Sequence, residues 1–96
     1  MELSDRIARI EAMEKRLNAA LAAVQAMDEA LDGYARAQED IDALASYLAS
    51  EEWREDLAAD EEGLLPDTLR RGVLSEDGIY DLLEENDELR QRFAQF

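Results

Sequence analysis

The sequence predicts an all-α protein, a small antiparallel helical bundle with a long N-terminal helix, a helical hairpin and a capped C-terminal helix. Three observations predict it. Apolar residues recur at steps of three and four through most of the 96 residues, alanine supplies sixteen of them, and Gly and Pro together number only five. A chain of this length forms a single domain, 1–96, in which folding buries only about 60–65% of the extended surface.

The first helix is expected over 4–32. Positions 3, 7, 10, 14, 17, 21, 24, 28 and 31 hold Leu3, Ile7, Ile10, Glu14, Leu17, Leu21, Val24, Asp28 and Leu31. Alternating steps of four and three describe a coiled-coil-like seam with two acidic interruptions. "IEAMEKRL" and "VQAMDEAL" repeat two heptads apart, each setting a methionine beside the interrupting acid. Met13 and Met27 therefore fill the seam's edge. Glu2, Asp5 and Glu11 precede Arg6, Arg9 and Lys15 by four residues, the favourable order on a helix.

Gly33 is read as the break or bend that starts a hairpin. The second helix, 34–49, carries Tyr34, Ile41, Leu44, Tyr47 and Leu48 on one stripe. Ser50, Glu51 and Glu52 suit a helix start, so a short helix is expected over 51–61 with Trp53 and Leu57 on one face and Gly63 closing it. "LLPDTLRRG" reads as a connector with one helical turn at 67–71. Leu64, Leu65 and Leu69 would tack it to the core.

The last helix, 76–94, follows Ile79, Leu82, Asn86, Leu89, Phe93 and Phe96. Ser75 is its N-cap, with Leu74 before the cap and Ile79 after it as a hydrophobic staple. Gly78 stands in the first turn, where it costs up to about 1 kcal/mol against alanine. Close approach of another backbone segment would account for it.

Composition excludes much chemistry. There is no Cys and no His, which removes disulfides, thiolate nucleophiles, the usual general base and the commonest zinc ligands. Ser4, Ser50 and Ser75, three of the four serines, fall at helix caps, and without histidine a serine lacks its usual activating base. Twenty-five acids make close carboxylate pairs inevitable and undiagnostic, and "DLAADEEG" lacks the spacing of a calcium loop. No cofactor is implied. A net charge of −15 disfavours direct nucleic-acid and membrane binding and favours solubility or basic partners. A cytoplasmic location is expected, since no export segment or span of about 18 apolar residues is present.

The segment holding "EW" and "GLLPDTLRRGVLSEDGIYDLL" resembles a small bacterial domain-of-unknown-function family of about this length. The resemblance implies a bacterial, cytoplasmic protein and supplies no activity. The candidate interaction surface is read from the residues: Arg70 and Arg71 with Glu76, Asp77 and Asp81.

These observations predict a non-enzymatic acidic protein-interaction module with an unidentified protein partner; the seam of the long first helix is covered either by the connector and the short helix around Trp53 or by a homodimer across Leu17, Leu21 and Val24. The alternatives are a small-molecule or metal-binding role at the 70–81 connector and a DNA-mimic decoy.

Overall fold

The computed structural model describes residues 2–75 and 77–96 and is all-α. The elements are α1 (Leu3–Leu48), α2 (Glu51–Glu61), a 3₁₀ turn (Gly72–Leu74) and α3 (Gly78–Phe93). The chain divides into two compact units, 1–37 and 38–96.

The N-terminal unit lies within α1. Its seam residues Leu3, Ile7, Ile10, Leu17, Leu21, Val24 and Leu31, with Met13 and Met27, are all 41–71% exposed. The methionines replace the acids at 14 and 28 as members of the apolar stripe.

The hairpin at Gly33 does not form: α1 runs through it as one 46-residue helix. A single glycine costs a helix about 1 kcal/mol, and the flanking Ala, Leu, Arg and Gln are strong helix formers. Asp32 and Gly33 form a dipeptide common in turns, but no further turn residues extend it into a loop, and helix formers continue on both sides. The nearest atom to a Cβ built there is the Arg36 guanidinium at 3.8 Å, an ordinary contact. Helix 34–49 is thus the C-terminal part of α1.

The helix ends instead before Ser50. The Ser50 hydroxyl donates to the Tyr47 carbonyl at 2.6 Å and accepts from the Trp53 amide at 3.2 Å. One extended residue therefore satisfies a carbonyl at the end of α1 and caps α2. At the other end of α2, Gly63 adopts φ +73°. Gly63 donates to the Asp60 carbonyl and Leu64 to the Ala59 carbonyl, each at 3.0 Å, which is the Schellman pattern.

The connector departs from expectation. Over 66–69 it makes a turn, closed by the Leu69 amide on the Pro66 carbonyl at 3.1 Å, and helical winding appears only at Gly72–Leu74. The helical turn expected at 67–71 is thus absent, and the Arg71 side chain meets Asp60 of α2.

Packing in the C-terminal unit centres on the 3₁₀ turn, which both α2 and α3 contact. Leu74 and Ile79, at 7% and 4% exposure, are its buried apolar pair among the described residues. Elsewhere in the unit Ile41, Leu44, Leu48, Trp53, Leu57, Leu65 and Leu82 are half-buried. Of the leucines expected to tack down the connector, Leu65 is covered while Leu64 and Leu69 stay exposed. Within the C-terminal unit α3 packs on the turn.

The start of α3 follows the expected capping chemistry. The Ser75 hydroxyl accepts from the Gly78 amide at 3.1 Å and donates to the Gly72 carbonyl at 2.8 Å. Leu74 and Ile79 then occupy the two positions of the staple. Ser75→Ala is expected to lose about 0.5–2 kcal/mol, read as a lower denaturant midpoint followed by Trp53 fluorescence.

Candidate interaction surfaces

In the connector, three side-chain contacts join α1, α2 and the 3₁₀ turn. Arg71 pairs with Asp60 at 2.5 Å, the two side chains being 36% and 23% exposed. The Trp53 indole N–H donates to the Val73 carbonyl at 2.9 Å. The Tyr47 hydroxyl donates to the Asp56 carboxylate at 2.6 Å.

Of the five residues expected to form one surface, Arg71 is engaged by Asp60 on α2. Arg70 and Asp77 are exposed. Asp81 joins Glu84, Glu85 and Glu88 along an open depression on α3. Glu76 lies outside the described residues. The arrangement gives Arg71 a structural task, holding the connector on α2. No group of three or more acidic side chains among the described residues is disposed to hold a metal ion.

Sequence reasoning missed Asp60 as the arginine's partner, because acids flank Arg71 on both sides in sequence. Eleven residues separate the two, a spacing with no helical or turn signature. Tyr47 and Asp56 were equally invisible, nine residues apart across the Ser50 junction.

The Tyr47 phenol is pushed up from its ordinary 10.0 to about 12, first because Asp56 accepts its proton in a hydrogen bond. Desolvation and the negative charges of Asp56 and Glu52 add to this. Ionisation would break the bond and set a phenolate beside a carboxylate. A raised pKa means that the contact is fully present below pH 10 and is lost as pH rises through about 12. An ultraviolet tyrosinate titration is expected to show a component near 12 that Tyr47→Phe removes and Asp56→Ala moves to lower pH. Survival of that component in Tyr47→Phe would show the assignment to be wrong.

The second surface is the seam of the N-terminal unit. Its nine apolar side chains form one stripe along residues 3–31, far more apolar surface in one line than a monomeric protein ordinarily leaves in water. Charge is divided unevenly between the units. Residues 1–37 carry seven acids and five bases, a net of −2, whereas 38–96 carry eighteen acids and five bases, a net of −13. Over 3–31 the balance is five acids to four bases. The segment that bears the apolar stripe therefore carries little net charge of its own. No helix among the described residues is long and apolar enough to cross a membrane.

No curated protein and no solved structure matches the chain. A family profile matches residues 10–96, from the seam through the capped last helix, and its description is a domain of unknown function. On that match, spanning nearly the whole sequence, the chain belongs to the DUF4298 family.

Proposed function

We propose that the chain is a non-enzymatic, acidic protein-interaction module of the bacterial cytoplasm whose contact element is the seam over residues 3–31. The observation that carries this reading is the row of nine apolar side chains, 41–71% exposed, on a single heptad stripe. A lone helix gains little from its own hydrogen bonds and owes most of its stability to covering its apolar face. Leaving this stripe in water forfeits the burial that ordinarily supports such a helix, so a facing helix is the natural complement.

The C-terminal unit serves as the folded base, with Arg71 committed to Asp60 and Trp53 to Val73. The connector residues thereby have structural work that needs no ligand.

Affinity purification of the tagged full chain from its native cell tests the proposal. Wild type is expected to retain a protein through the seam, a second copy or another chain, and Leu17→Glu is expected to lose it. Trp53, the single tryptophan, reports whether the C-terminal unit remains folded in that variant. Identical retention by wild type and Leu17→Glu, or a bound metabolite or metal ion in place of a protein, would overturn the reading.

A further inference from the structure

We infer that the occupant of the seam is a second copy of the same chain, packed in parallel as a two-stranded coiled coil over residues 3–31. The inference rests on the reading of the seam as a contact surface and names its partner.

The first argument is area. Nine half-exposed side chains offer roughly 700 Å² of apolar surface per copy, close to the ~800 Å² per partner of a standard interface.

The second is the charge on the two edges of the stripe. With Ile7 and Leu21 at heptad position a and Ile10, Leu17 and Val24 at d, Arg6, Arg9 and Arg16 lie along one edge. Glu11 and Asp32 at e, with Glu29 at b, lie along the other, which carries one base, Lys15. A twofold axis parallel to the helices sets each copy's basic edge against the other's acidic edge. Arg6 at g then faces Glu11 at e of the second copy, and the pair occurs twice by symmetry. An antiparallel copy would set basic edge against basic edge and acidic against acidic.

The parallel register has a cost. Glu14 and Asp28, at a, each meet their own counterpart, which weakens the dimer and makes it depend on concentration. The net charge of −2 on residues 1–37 keeps general repulsion in the contact region small.

Light scattering of the full chain across concentration, at low and high salt, reads the assembly. A mass rising toward two chains is expected, with Leu17→Glu at one chain throughout. Arg6→Glu should weaken association several-fold, since two pairs at 0.2–1 kcal/mol each correspond to roughly a 2–30-fold change. The double variant Arg6→Glu with Glu11→Arg should restore it.

Orientation is read with single cysteines in this cysteine-free chain. Ile10→Cys should form a disulfide with its own copy under mild oxidation. A disulfide formed only when Ile10→Cys is mixed with Leu21→Cys, the a position that a d residue meets in an antiparallel pair, would show that orientation and overturn the inference. A mass of one chain under all conditions, or unchanged association in Arg6→Glu, would also overturn it. If the chain alone is monomeric yet a different protein is retained in cells and lost by Leu17→Glu, the contact surface stands and only its self-pairing fails.

Discussion

Gly78→Ala is expected to lower the thermal midpoint of the C-terminal unit, by up to roughly 15 °C, the opposite of what helix propensity alone would give. Alanine within a helix ordinarily gains up to about 1 kcal/mol over glycine. Here a Cβ would lie 2.4 Å from the Gly72 carbonyl oxygen and 2.6 Å from the Ser75 hydroxyl oxygen. The first of these atoms is backbone, so relief requires moving the 3₁₀ turn away from α3. That movement also strains the Ser75 cap, because the same hydroxyl bonds both Gly72 and Gly78.

Overpacking of this kind costs about 1–3 kcal/mol, which exceeds the propensity gain at most of its range. Two other glycines supply controls. Gly72→Ala meets nothing within 4 Å and is expected to be nearly neutral. Gly33→Ala, within α1, is expected to add up to about 1 kcal/mol of helix stability. Circular dichroism melts of the three variants against wild type check the pattern. A Gly78→Ala midpoint equal to that of Gly72→Ala would mean that the close approach is not there.

Ile79→Ala is expected to be the most damaging truncation in the chain, losing about 2–4 kcal/mol. Ile79 is 4% exposed and, with Leu74, forms the buried pair between the 3₁₀ turn and α3. A domain with so few fully buried side chains has little reserve against loss of one. Unfolding of the C-terminal unit should then show in Trp53 fluorescence, because the indole is hydrogen-bonded to Val73, one residue from Leu74. Leu74→Ala should follow closely. The double variant should cost less than the sum of the two, since both singles empty the same contact. Leu64→Ala, at a residue 69% exposed, should stay within about 0.5 kcal/mol. An Ile79→Ala loss no larger than that of Leu64→Ala would remove the staple from the account.

Local order was legible because its causes lie a few residues apart. The heptad steps from Leu3 to Leu31 specify a helix with one apolar stripe, and Ser50 and Ser75 each cap the helix that follows. The two ends of α2 were readable from Ser50 and Gly63 for the same reason, and the staple of Leu74 and Ile79 was readable from its spacing around the cap. Gly78 even announced a close backbone approach by standing where alanine would be preferred.

What the tertiary structure alone decided is which of several acids an arginine meets and whether a helix turns back on itself. Arg71 had acidic residues on both sides in sequence and chose Asp60, a choice made by the turn at 66–69 and the placement of α2. Gly33, after Asp32, could turn a chain or lie within a helix, and α1 passes through it because about 1 kcal/mol is a small loss against the helix formers on both sides. The exposure of the seam was likewise invisible, since a heptad stripe states that something must cover it and carries no record of whether the cover comes from the same chain. Short-range hydrogen bonds and spacing are written in neighbouring residues, whereas pairing at a distance depends on where the intervening backbone goes.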